Sequence, residues 1–254
     1  MRPRIAIPMP HSVDREYSER AIPQYERAVE LAGGEPLRIP FDEPIDRLKK
    51  IVAGCAGVLL PGSNADIEPG KFKAERSSHT APADPLREAV DELLLEDAYA
   101  AHKPVLGICY GLQSLNVFRG GSLIQHIPDF LPDELRNRVN HEAGKKVAVA
   151  HRVEIDEDSR LAGIVGNHGD SATVRNKLAI PVNSSHHQSA QTAGAGLRIV
   201  GQCTDDSIVE ALEGTDPTHF VLAVQWHPER SVDRDEASQA IFRALVRAAE
   251  AHVR

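Results

Sequence analysis

Pro104-Val-Leu-Gly-Ile-Cys109-Tyr-Gly-Leu-Gln113 runs a short apolar segment into a cysteine flanked by small residues, and an apolar, helix-forming stretch, Leu112 to Phe118, follows at once. A strand that turns into a helix this abruptly needs a tight, strained connection, and Gly107 and Gly111 leave room for one. The cysteine then stands at the carboxyl end of a strand and the N-terminus of a helix. Such an elbow belongs to a parallel sheet covered by helices on both faces.

The chain before the elbow alternates short apolar runs with amphipathic ones, as that architecture requires. Arg4 to Pro8 opens as a strand. Ser18 to Ala32 carries Ala21, Tyr25, Ala28, Val29 and Ala32 at helical spacing and stops at Gly33-Gly34, where glycine ends a helix in a left-handed conformation. Leu37 to Ile39 is the second strand, Pro44 to Ala53 a helix with proline in its first turn, and Gly57 to Leu60 a buried strand. That strand runs out at Pro61-Gly-Ser-Asn-Ala-Asp66. Phe72 to Asp84 is polar and reads as a surface loop, and Leu86 to His102 as a long helix leading into the cysteine strand.

Beyond Phe118 the pattern changes. Arg119 to Ala150 mixes Gly, Pro, His and charge without a sustained period, the signature of a loop-rich insertion over a site. Val153 to Ile155, Ala179 to Val182, Leu197 to Cys203, Ile208 to Leu212 and Phe220 to Gln225 are short strand candidates, and Asp235 to His252 is a closing helix. With 254 residues and no internal repeat, one domain is expected over 1–254.

Val224-Gln-Trp-His-Pro-Glu229 is the second informative fragment. It ends an apolar strand with an imidazole and a carboxylate two residues apart, His227 as candidate base and Glu229 as the group that fixes its tautomer. With Cys109 as nucleophile these form a triad, the residue set of acyl transfer. The oxyanion of that chemistry needs N–H donors, which the amide of Tyr110 and the strand-end turn at Gly62 can offer.

Composition narrows the partners. A net charge of −8 gives no basic face for nucleic acid or anionic lipid, and no apolar run approaches a membrane span or a signal-peptide core. Cys55, Cys109 and Cys203 are an odd, scattered set that reads as reduced thiols, so a cytoplasmic location is expected. Twelve histidines, among them His126, His141, His151 and the adjacent His186-His187, raise the question of a metal. None is expected: neighbours on an extended segment point to opposite sides, and no helical His pair stands beside a carboxylate. No cofactor is called for, and a homodimer is the default assembly.

Gly-Ile-Cys109-Tyr-Gly-Leu-Gln113 and Gln-Trp-His227-Pro-Glu229 resemble the class I glutamine amidotransferase superfamily. Gly120-Gly-Ser-Leu123, Asn183-Ser-Ser-His-His-Gln188 and Pro61-Gly-Ser with Asp66-Ile-Glu-Pro69 look like its γ-glutamyl-γ-aminobutyrate hydrolase branch, peptidase family C26. The resemblance runs over nearly the whole chain. It implies a flavodoxin-like α/β fold with a mostly parallel central sheet and a strand-rich C-terminal half. It also implies hydrolysis of a small γ-glutamyl amide through a Cys109 thioester, with His227 as base then acid. By the same resemblance Gly62 and Tyr110 supply the oxyanion amides, and Gln113, Ser185, His186 and Arg87 contact the γ-glutamyl group. Two departures stand out. The stretch Asp84-Pro-Leu-Arg87-Glu88 ends in Glu where the family often has Asp, and Tyr110 replaces a common arginine.

Two other readings start from the same residues. A glutaminase subunit would pass ammonia to a separate synthase, and a silent binding protein would keep the fold without turnover. An intact triad weighs against the second, and the absence of a fused synthase in this sequence against the first.

Overall fold

The computed structural model describes residues 2–166, 172–174 and 177–252, with the backbone only at 172–174 and 177. The first half holds β1 (Arg4–Pro8), α1 (Arg15–Leu31), β2 (Glu35–Ile39), α2 (Ile45–Ala53), β3 (Gly57–Leu60), α3 (Pro85–Ala101), β4 (Val105–Ile108) and α4 (Tyr110–Phe118). There follow β5 (Ser122–Ile124), the single turn α5 (Ile127–Phe130), β6 (His151–Ile155), α6 (Arg160–Val165), β7 (Ala172–Val174) and β8 (Lys177–Val182). The chain closes through β9 (Ser189–Thr192), β10 (Leu197–Cys203), β11 (Val209–Gly214), β12 (Val221–Val224) and α7 (Glu236–His252).

Ten strands form one sheet in the order β2-β1-β3-β4-β12-β11-β10-β6-β8-β7. From β2 to β12 the pairs are parallel, and from β12 onward they are antiparallel. The sheet is therefore mixed, with the parallel half drawn from the elements before the elbow plus one late strand. That late strand positions the site. β12 lies beside β4 with Val224 opposite Ile108, and the Cys109 amide donates to Val224 O at 2.8 Å. Residues 109 and 227, far apart in the chain, leave the sheet at the same edge.

Side chains alternate across the parallel strands, so each strand feeds two cores. Ile5, Ile7, Leu59, Leu106, Ile108, Leu222 and Val224 pack beneath α1, α6 and α7. Ala6, Val58, Leu60, Val105, Val221 and Ala223 pack on the other face beneath α2, α3 and α4. α1, α2, α3, α4 and α7 fall on segments read as helical in the sequence, whereas the six-residue α6 does not. Asp14 and Asp84 cap α1 and α3, accepting from the amides of Tyr17 and Arg87, and Gly33 adopts φ +94° just past the first helix.

The segment 119–150, expected as loop, contains β5 and α5. β5 pairs antiparallel with β9 in a separate two-stranded sheet, and Ile124, Ile127 and Leu131 pack against Cys203 and Ile208. A three-residue strand whose partner is some seventy positions away leaves no local period to detect. Among the described residues no helix is long and apolar enough to cross a membrane.

Candidate active site

Cys109 has φ +54° and ψ −107°, a conformation rare for a residue with a side chain. The surroundings enforce it: Cβ atoms at Gly107 or Gly111 would collide with the Gly111 carbonyl and with Leu60 O respectively, so the elbow closes only around glycines. Gln113 and Leu112 amides bond back to Cys109 O, starting α4 at once. The thiol thus sits over the N-terminus of a helix.

His227 enters from the end of β12. Asn183 clamps its backbone from both sides, with Oδ1 accepting from His227 N–H at 3.0 Å and Nδ2 donating to His227 O at 2.8 Å. The ring Nδ1 lies 2.8 Å from Glu229 Oε1, which assigns the proton to Nδ1 and leaves the Nε2 lone pair toward the thiol. Nε2 is buried and makes no hydrogen bond of ordinary geometry, while Cys109 stands close enough to act on the ring's charge. Burial alone would push the His227 pKa down, but the charges of Glu229 and Cys109 outweigh it and raise it to about 9. Glu229 shifts the opposite way: burial opposes ionisation, and the adjacent His227 holds its carboxyl below the usual range.

Gly62 lies directly against this pair. A Cβ there would stand 3.1 Å from His227 Cε1 and 3.6 Å from Cys109 Cβ. Its amide, expected as an oxyanion donor, donates instead to the hydroxyl of buried Tyr25 at 3.0 Å. What Gly62 supplies at this turn is space. Tyr110 opens α4, so its N–H is one of the four that find no partner within the helix.

Three of the residues expected to touch substrate do other work. Arg87 is fully buried: Nε pairs with Asp91 at 2.7 Å, Nη1 donates to Pro10 O at 2.9 Å and Nη2 to Pro61 O at 2.6 Å. Its guanidinium also covers the Tyr110 ring at 4.7 Å. All three guanidinium nitrogens bond to the scaffold and the side chain is sealed from solvent, so Arg87 positions the turn carrying Gly62. Gln113 is buried too, its amide N–H groups going to Gln188 O and Gln225 Oε1, both at 3.2 Å. His186 turns inward, with Nδ1 3.0 Å from Gln188 O and Nε2 3.4 Å from Glu210. Its neighbour His187 faces the other way, 3.1 Å from Asp66. The two adjacent histidines therefore point in different directions, as expected of neighbours on an extended segment.

Ser185 remains beside the triad, accepting from Arg230 Nη1 at 2.8 Å. Arg230 itself, which lies 3.6 Å from Glu229, was not singled out in the sequence, although it directly follows the carboxylate. Lys145, from the 119–150 segment, reaches the same region: its ammonium stands 5.5 Å from the Tyr17 ring centre. Burial and the neighbouring Arg230 and Arg20 cations lower its pKa. Two cations therefore flank the thiol–imidazole pair, a setting suited to a carboxylate-bearing ligand.

The peptidase C26 family model matches residues 5–229, a span that closes on the last member of the triad. The chain belongs to the peptidase C26 family. It is a C26 glutamine amidotransferase-like hydrolase, an amidohydrolase by family. A glutamine amidotransferase-like protein of Rickettsia prowazekii is 31% identical over 89% of this chain and 88% of its own length. The γ-glutamyl-γ-aminobutyrate hydrolase of Escherichia coli K12 is 28% identical over 91% of this chain and 86% of its own. Among solved structures, the glutaminase domain of Trypanosoma brucei CTPS with bound acivicin superposes with a TM-score of 0.61 at 20% identity, covering 98% of this chain and 94% of that one. This last likeness concerns the fold, and it agrees with the glutamine amidotransferase topology described above.

Proposed function

We propose that this C26 hydrolase cleaves the γ-glutamyl amide of a small amine, such as γ-glutamyl-γ-aminobutyrate, through a thioester on Cys109. The observation that carries the reading is the fixed imidazole: His227 is held at its backbone by Asn183 and at Nδ1 by Glu229, with Nε2 directed to a thiol on a strained elbow. His227 Nε2 takes the thiol proton, and the thiolate attacks the γ-carbonyl carbon. The oxyanion that forms is stabilised by the Tyr110 N–H at the start of α4. The tetrahedral intermediate collapses as His227 returns its proton to the departing amine nitrogen, leaving the γ-glutamyl thioester. Water, deprotonated by the same imidazole, then releases glutamate and frees Cys109.

Arg230 and Lys145 supply the cations that a glutamyl α-carboxylate requires, and Ser185 braces Arg230.

The test is glutamate release from a panel of γ-glutamyl amines, with glutamine included, by the purified wild type beside Cys109→Ala. Turnover of one or more amides by wild type alone supports the reading. No turnover on any of them, with Cys109 left unmodified by an alkylating γ-glutamyl analogue, would overturn it. Preference for glutamine would favour ammonia delivery to a synthase instead.

A further inference from the structure

Away from the thiol, three histidines from separate segments converge on one buried carboxylate. His141 comes from the 119–150 segment, His151 from the start of β6, His186 from the stretch before β9, and Glu210 from β11. All four are buried. His151 Nε2 lies 2.9 Å from Glu210 Oε1, while His141 Nδ1 and His186 Nε2 each lie 3.4 Å from that same oxygen.

The outer nitrogens decide what these contacts are. His186 Nδ1 faces Gln188 O at 3.0 Å, and a carbonyl oxygen can only accept, so Nδ1 carries the proton. A neutral His186 then aims the Nε2 lone pair at a carboxylate oxygen. His141 lies between two carboxylates: its Nε2–H donates to Asp206 Oδ2 at 2.9 Å, and its Nδ1 faces Glu210 Oε1 at 3.4 Å. His141 Nδ1, His186 Nε2 and Glu210 Oε2 are buried with no hydrogen-bond partner. A His186 Nε2 lone pair facing a carboxylate oxygen in a dry interior is repelled unless a proton or a metal ion lies between them.

We infer that His141 Nδ1, His186 Nε2 and Glu210 hold a divalent transition-metal ion of the zinc class. The geometry suits one. A tetrahedral ion with bonds of about 2.0–2.1 Å separates its ligand atoms by about 3.3–3.4 Å, longer than a good hydrogen bond and equal to the two histidine-to-Glu210 spacings observed. Both histidines carry the outer partner that metal-bound imidazoles use, a carboxylate for one and a backbone carbonyl for the other. His151 Nε2 donates to Glu210 and orients it. A cavity of about 280 Å³ lined by Ile127, Pro128, Arg136, His141 and His186 adjoins the cluster and provides an entry path and room for a water as fourth ligand. The site ties the 119–150 segment to β11 and to the segment preceding β9. It stabilises the packing of these segments and takes no part in the bond cleavage.

The probe is Co²⁺ added to the full chain after chelator treatment. One equivalent is expected to bind with the visible d–d bands of a tetrahedral ion and no thiolate-to-metal charge-transfer band, unchanged in Cys109→Ser. His186→Ala and Glu210→Gln should abolish those bands, and Asp206→Ala should weaken binding about 10–100-fold. Absence of stoichiometric binding by the wild-type chain overturns the site whatever the variants do. A charge-transfer band, which would put the ion on Cys109 or on Cys203 beside His141 and Asp206, overturns it as well.

Discussion

Arg87 Nη2 donates to the carbonyl of Pro61 at 2.6 Å, tying a buried guanidinium in α3 to the turn that carries Gly62. The same guanidinium is neutralised by Asp91 one helical turn on, with both side chains sealed from water. Removing one partner strands the other charge, so Arg87→Met should destabilise the fold by about 3–5 kcal/mol, read as the shift in a urea unfolding curve. Arg87→Met combined with Asp91→Leu should regain most of that stability yet stay slow, because Pro61 is no longer held. Full activity in the double variant would mean the turn needs no such support.

Asn183 touches His227 only through the backbone, at 3.0 and 2.8 Å. Asn183→Ala should lower kcat about 10–100-fold, as expected when a reacting group moves by about 1 Å, and leave KM nearly unchanged. Asn183→Asp keeps one of the two bonds and should fall between. Equal losses in kcat and KM would instead assign Asn183 to substrate.

The pH dependence follows from the raised His227 pKa, about 9 in the fold against 6.5 for a free imidazole. Because the folded value is the higher one, the stabilisation from this group is fully present below pH 6.5 and is lost as pH rises through about 9. Activity should decline over that same alkaline range, with limbs that belong to the coupled thiol–imidazole pair. Glu229→Gln removes the charge that holds the imidazolium and should move the alkaline limb toward neutrality while lowering kcat by about 10²–10⁴. An unmoved limb in that variant would sink the assignment.

Thiol labelling separates the three cysteines. Burial pushes Cys55 up to about 11 and Cys203 higher still, and neither has a cationic neighbour that overrides it. Iodoacetamide at neutral pH should modify Cys109 alone, read by mass spectrometry of the peptides, and prior treatment with an alkylating γ-glutamyl analogue should block it.

Gly111→Ala tests the elbow itself, since the new methyl group meets the Leu60 backbone, which cannot swing aside. It should destabilise by about 1–3 kcal/mol or more, with a thermal transition lowered accordingly.

The elbow at Cys109, the helices on either side and the end of β12 are legible in the chain, because each depends on residues close in sequence: glycines that admit a tight turn, apolar residues at a fixed period, caps at helix starts. The chain also shows that His227 and Glu229 come to Cys109, since both fragments end strands of a parallel sheet and such ends share one edge. Direction and occupancy came only with folding. Arg87, Gln113 and His186 stand close to the expected places, yet the Arg87 guanidinium and the Gln113 amide N–H groups bond to the protein itself and His186 turns toward Gln188 and Glu210, because a buried polar group takes the partner that packing puts beside it. The pairing of β5 with β9 and the meeting of His141, His151 and His186 on Glu210 are non-local as well. No window of sequence contains both sides of such a contact, so only the folded chain brings them together.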